Sequence, residues 1–268
     1  MLHWSLDDSL DPPLWRPRSE SGAIAAFTTR RGGVSAPPYH ALNLGRSTED
    51  ARESVENNRA RVLKALGLDP ARLATAGQVH GRVVKRVTAP GLHAECDALV
   101  TREPRLPLAV SGADCLPILF VARGAVGAAH AGWRGVAAGV PLATLEAVSA
   151  LAEVPAHEVD IHFGPCIRSC CYEVGPEVAV RFPGETVRHF GSSLRLSVPD
   201  AARGQLLAGG AAPERLFDTG ACTACEPWWY FSHRRDRGRT GRQWGLIALA
   251  GGRTEPSGAP PAARGAEV

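Results

Sequence analysis

From residue 72 to residue 131 the chain carries six short apolar runs with too few residues between them for a helix after each strand. RLATAGQVH, RVVKRVT, DALVT, LPLAVSG, PILFVA and AVGAAHA are rich in β-branched and small apolar residues and are bounded by Gly, Pro or Asp. A parallel crossover needs about a dozen residues or more. This density therefore favours sheets packed on one another over a βαβ alternation. GAIAAFTT (22–29) and VDIHFG (159–164) read as further strands, and RRGGVSAPPYHALNLG (30–45) as a long loop.

Three segments read as helices. Asp50 followed by Glu53 resembles a capping box, Val55, Val62, Leu63 and Leu66 recur near helical spacing, and Gly67 stands where a terminating glycine belongs. A second helix is predicted over about 133–152, carrying Val136, Val140, Leu145 and Val148, and a short third over about 199–208. Residues 1–250 read as a single domain, since no repeat or shift in composition marks a boundary. The tail 251–268, GGRTEPSGAPPAARGAEV, has no apolar periodicity and is expected to be disordered.

Composition narrows the partners. The 268 residues are 44% hydrophobic and 21% charged, enough for one substantial core. The net charge of +3 rests on arginine, because Lys64 and Lys85 are the only lysines, and no basic run is interleaved with aromatics. A nucleic-acid partner is not expected. The opening MLHWSLDDSLDPPLW lacks a charged segment followed by an apolar one, and no run approaches the ~18 apolar residues of a membrane span. A cytoplasmic location without membrane attachment is expected. There the seven cysteines would be largely reduced, to be weighed as metal ligands or reactive thiols.

Three donors share one context. His80 in GQVHG and His130 in AAHAG end predicted strands, and Cys115 in GADCLP lies between two, with Gly81, Gly112 and Gly132 beside them. Side chains at strand ends converge on one rim of a sheet. Two imidazoles and a thiolate suit Zn²⁺, and three protein ligands leave a fourth position open, the pattern of a catalytic site. Other readings compete. A histidine can be satisfied inside a core, and Cys115 can act as a nucleophile activated by His80 or His130.

FTTRRGGVS, NLG, QVHG, DALVT, GADCLPILF, AAHAGWRG, GPCIRSCCYEVG and FSHRRDRGRTGRQ follow one another in the order of a known family. From about Ala23 to Leu249 the chain resembles the laccase-like or multicopper polyphenol oxidase proteins, the YfiH type, now described as purine nucleoside phosphorylases. The resemblance implies an α/β (α+β) domain of stacked mixed β-sheets flanked by helices. It implies a zinc site of His80, Cys115 and His130, phosphorolysis of adenosine, inosine and methylthioadenosine, and a zinc-dependent adenosine deaminase activity. It also implies a related role, cytosolic hydrolysis of wrongly built peptidoglycan precursors, for which Cys115 would be the nucleophile. A non-catalytic metal-binding protein is the remaining alternative.

The older label conflicts with the residues. A multicopper oxidase needs about ten histidines in His-x-His pairs, with a thiolate and two imidazoles at its type 1 copper. The chain has nine histidines, of which the closest, His157 and His162, are five apart. Copper can nevertheless occupy the same three ligands as zinc.

Phosphorolysis requires an anion clamp beside the sugar and stabilisation of charge leaving with the base. Arg30 in TTRRGG and Arg134 next to His130 are the candidate phosphate ligands, with Arg31 a weaker one, and Asn43 and Gln78 the candidate polar contacts to ribose or base. Deamination needs a carboxylate proton shuttle, for which Asp114 and Glu173 are candidates, while Asp97 reads as structural. Cys166, Cys170 and Cys171 read as small residues packed in a tight turn. Cys222 and Cys225, although spaced Cys-x-x-Cys, are not assigned as a zinc knuckle, because no second such pair accompanies them. Trp228, Trp229, Tyr230 and Phe231 read as core, with one ring available to stack on a purine.

Overall fold

The structure, a computed structural model, describes residues 4–17 and 22–251. The tail expected to be disordered falls, beyond Gly251, outside the described residues.

Two mixed sheets face one another. One has seven strands in the order Trp4–Asp7, Leu14–Pro17, Ala23–Thr28, Gln243–Leu249, Leu108–Gly112, Ala74–Ala76 and Gly91–His93. The other has six, in the order Leu216–Asp218, Asp160–Phe163, Leu116–Ala122, Ala125–Ala131, Ala98–Thr101 and Val84–Arg86. Most neighbours are antiparallel, and the three-residue strands at the edges supply the parallel pairs. A small three-stranded sheet, Glu173–Val174, Ser193–Leu196 and Val187–Phe190, stands apart.

The period of two along each strand builds the layers. In Leu116–Ala122, Ile118 and Phe120 face one apolar cluster while Leu119 and Val121 face another, and in Ala98–Thr101 the same division separates Ala98 and Val100 from Leu99. The inner cluster joins the sheets, packing Leu119, Val121 and Val126 with Phe27, Leu108, Val110 and Ile247. Helices Val140–Ala152 and Val198–Ala208 cover the outer face of the six-stranded sheet, and helix Arg52–Ala65 covers that of the seven-stranded sheet through Val62 and Leu63. Strands buried on both faces read as continuous apolar runs, which is why the central ones are visible in the sequence.

Two helix ends differ from the sequence reading. Ala51, with no side-chain cap, precedes the first helix, because Asp50 spends its carboxylate on its neighbour's amide and on Asn43 Nδ2 (both 2.9 Å), so the capping box does not form. Its other end does terminate at Gly67 (φ 65°), with Gly67 N–H donating to Lys64 C=O and Leu68 N–H to Leu63 C=O, a Schellman closure. The single helix expected over 133–152 is two, Trp133–Ala138 and Val140–Ala152, broken where Gly139 takes φ 91°. Only Gly adopts that left-handed conformation without cost, so the break is written into the residue. The strands Trp4–Asp7, Leu14–Pro17, Gly91–His93, Leu216–Asp218 and Gln243–Leu249, and all three of the small sheet, are additions to those read from the sequence.

Candidate functional site

The site lies at the seam of the two sheets. His80 is not at a strand end but four residues past Ala76, in a loop where both Gln78 (φ 58°) and His80 (φ 63°) adopt the left-handed region. Non-glycine residues there cost about 1 kcal/mol or more each. Hydrogen bonds offset that cost. Gln78 donates its amide to Cys96 C=O (2.8 Å) and clasps Ser111 through Oε1 and Nε2. The amides of His80 and Gly81 donate to Asp97 Oδ1 and Oδ2 at 2.9 and 2.7 Å.

Cys115 sits on the short connection from Leu108–Gly112 to Leu116–Ala122, and His130 is the penultimate residue of Ala125–Ala131. Their donor atoms and that of His80 all lie within 4.8 Å of one another. The two imidazole rings meet edge to face with centroids 4.8 Å apart. Space beside them is tight: a Cβ on Gly132 would stand 3.0 Å from Cys115 Sγ and 3.2 Å from His80 Cδ2 and would press on both side chains.

Asp97, fully buried, is the missed residue of the site. Besides the two amides it receives His130 Nδ1 at 2.9 Å, which leaves Nε2 for the shared centre. Burial opposes its charge, but the His130 and amide hydrogen bonds outweigh it and hold the carboxyl below the usual range. Burial likewise opposes both charges of the neighbouring pair. The His130 charge, with hydrogen bonds from both histidines, nevertheless brings the Cys115 thiol down to about 6, and the thiolate and Asp97 raise His130 to about 9. Without a metal, the site thus favours a thiolate and an imidazolium at neutral pH. The only sequence signal for Asp97 was an acidic residue opening an otherwise apolar strand.

A cavity of about 720 Å³ opens over the three residues. Gln78, Asp114 and Arg134 line it, whereas Arg30, Asn43 and Glu173 do not. Arg30 donates to the His40 and Pro227 carbonyls and stacks on Phe231, contacts that join loops outside the cavity lining. Arg31 lies over Trp228 and Trp229. Asn43 is fully buried and holds Gly45 N–H and Arg242 N–H on its Oδ1, so it shapes the loops beside the cavity. Asp114 has its carboxylate occupied by Thr223 Oγ1 and the Arg234 amide (2.6 and 2.7 Å), which argues against a proton shuttle. Arginines at 46, 59, 234 and 242 line the cavity instead, with Trp133, Tyr172 and Trp244 as its aromatic walls in place of the Trp228–Phe231 stretch. Nothing local distinguishes these arginines from the chain's many others.

The comparisons bear on this geometry. A profile of the family described as "Multi-copper polyphenol oxidoreductase laccase" matches residues 24–250. The chain belongs to this family. Among its relatives, the protein named purine nucleoside phosphorylase YlmD of Geobacillus stearothermophilus is 36% identical over 259 residues, covering 88% of this chain and 92% of the relative. Purine nucleoside phosphorylase YfiH of Escherichia coli is 38% identical over 237 residues, 85% of this chain and 94% of the relative. The crystal structure of the Geobacillus stearothermophilus YlmD superposes with a TM-score of 0.85 at 35% identity, covering 89% of this chain and 96% of that one. This laccase-like chain shares their stacked mixed sheets. Among the described residues, no helix is long and apolar enough to cross a membrane, and two clusters of three or more metal-donor side chains occur. The second is formed by Cys170, Cys171, Cys222 and Cys225, two pairs about 50 positions apart in the sequence.

If Asp97 orients His130 as a ligand, Asp97→Asn should weaken metal binding roughly 10–100-fold, the usual cost of losing an outer-shell partner. Competition with a chromophoric chelator measures this, and an unchanged affinity would remove Asp97 from the site.

Proposed function

We propose that the chain is a metal-dependent purine nucleoside phosphorylase that cleaves adenosine, inosine and methylthioadenosine with inorganic phosphate, and deaminates adenosine at the same centre. The observation that carries this reading is an open His80, Cys115, His130 donor set at the base of an arginine-lined cavity of about 720 Å³. The residues fit a metal ion. The donor set matches zinc, Asp97 fixes the His130 tautomer, and Gly132 leaves the space for three side chains to converge. Zinc is the proposed ion, and copper suits the same ligands. When bound, it supplies positive charge for a developing anion and activates water.

In phosphorolysis a phosphate oxygen bonds to the anomeric carbon as the glycosidic bond breaks, and the electron pair leaves with the base. Arg134 and Arg242 bind the phosphate as charged donors. Trp133 and Tyr172 enclose the nucleoside and exclude water. The Asp97 hydrogen bond to Nδ1 keeps His130 in one orientation throughout.

A second reading has its own support. His130 lies between Asp97 and a Cys115 thiol lowered to about 6, the order of a nucleophile, base and orienting acid, which amide hydrolysis of a peptidoglycan precursor would use. Zinc separates the two, because it would complete the phosphorylase and block the nucleophile. Incubating the purified protein with inosine and phosphate, with and without added zinc, should release hypoxanthine and ribose 1-phosphate in the zinc-loaded sample. Ammonia from adenosine reports deamination independently. No base release from any of the three nucleosides with zinc present would overturn the phosphorylase reading.

A further inference from the structure

Four thiols, from exposed Cys170 and Cys225 to buried Cys222, meet beside the cavity wall. Cys170 Sγ is 3.5 Å from both Cys222 Sγ and Cys225 Sγ, and Cys171 Sγ is 3.2 Å from Cys225 Sγ. All four sulfurs lie within 4.8 Å of one another. A disulfide would bring a pair to about 2.05 Å. By contrast, four sulfurs at about 2.3 Å from one zinc stand roughly 3.8 Å apart in a tetrahedron. The observed spacing belongs to the second case.

The backbone around them is built for this. Cys222 and Cys225 have Cys-x-x-Cys spacing, and Glu226 closes the turn that carries both sulfurs, its Oε1 accepting Cys222 N–H (3.0 Å) and its N–H donating to Cys222 C=O (3.1 Å). The two contributing loops are already zipped: Thr223 N–H donates to Cys166 C=O (3.0 Å), Arg168 forms a two-pronged ion pair with Asp218, and Arg195 Nη1 donates to Cys170 C=O (2.7 Å). Cys170 and Cys225 are exposed, which gives an ion access.

We propose that Cys170, Cys171, Cys222 and Cys225 bind a structural zinc ion, separate from the His80, Cys115, His130 centre. Four protein ligands close the coordination sphere, so this ion takes no substrate. Its place in the fold gives it a role. Tyr172 follows Cys171 and lines the cavity, and Thr223 follows Cys222 and holds Asp114, the neighbour of Cys115. Arg234, another lining residue, donates to the carbonyl of Glu173 (2.8 Å). The ion staples two segments about 50 positions apart into one wall of the cavity.

The test uses the full chain expressed with zinc and purified under reducing conditions. The double variant His80→Ala/His130→Ala, stripped of the first centre, should retain about one zinc per chain, with four sulfur scatterers at about 2.3 Å in zinc-edge X-ray absorption. Adding Cys171→Ser and Cys225→Ser should remove that zinc, and a circular dichroism spectrum checks that this protein remains folded. Absence of zinc from the His80→Ala/His130→Ala protein, mixed nitrogen and sulfur scatterers, iron in place of zinc, or intact-mass evidence of two disulfides in the reduced preparation would each overturn the assignment. The count in that variant bears on this site alone, whatever occupies the first.

Discussion

Cys115→Ser should remove the metal from the His80, Cys115, His130 centre and lower phosphorolysis by about 10³-fold or more, because a neutral hydroxyl replaces the single anionic ligand. The substitution is nearly isosteric and Cys115 is only half-buried, so folding should survive. The same thiol offers a companion measurement. In metal-stripped wild type, peptide-resolved alkylation of Cys115 should rise through a midpoint near pH 6, well below an ordinary thiol at about 8.5, since only the thiolate reacts. Added zinc should suppress it. Retention of full turnover by Cys115→Ser would end both the metal reading and the nucleophile reading at once.

Arg242→Ala should raise the phosphate KM by roughly 10–150-fold, the equivalent of one charged hydrogen-bonding group at about 1.5–3 kcal/mol. Arg242 lines the cavity and is locked there, its Nη1 donating to the Thr240 and Gly241 carbonyls and its amide held by Asn43. Burial lowers its pKa while the charges of Cys115 and Asp114 raise it, which places it in the electrostatic field of the site. Deamination of adenosine needs no phosphate and should change far less. Arg30→Ala is the control: with its guanidinium committed to the His40 and Pro227 carbonyls, its loss should lower the melting temperature and leave the phosphate KM unchanged. Equal effects of Arg242→Ala on both reactions would show that it supports the nucleoside or the fold.

The contrast between Arg30 and Arg242 shows what could be read without coordinates. Central strands such as Leu116–Ala122 and Ala125–Ala131 announce themselves because both faces are buried, so period and composition agree. Trp4–Asp7 and Leu14–Pro17 pair at a sheet edge and carry Asp, Arg and Pro, which masks them. Gln243–Leu249 is seven buried residues that the sequence analysis does not assign, and it pairs with Ala23–Thr28 from the far end of the chain, a partner that no local pattern predicts. The same limit governs the sites. Flanking glycines and strand ends pointed to His80, Cys115 and His130, while the arginines of the cavity and the meeting of Cys170 with Cys222 depend on contacts that no window of sequence contains.

The three candidate donors are drawn from both layers of the sandwich. His80 follows a strand of the seven-stranded sheet, Cys115 lies on the crossing between sheets, and His130 belongs to the six-stranded one. Apolar contacts between the layers have no preferred direction and tolerate sliding. Asp97 does not: it opens a strand of one layer and grips amides of a loop hung from the other. An ion seated on the three ligands would act as a rivet through both layers. A slip of one residue, about 3.3 Å, would pull the ligands out of reach of a common centre. The registry of two sheets thereby becomes a condition of chemistry, and strain on either outer helix layer would be felt at the metal as a change in bite.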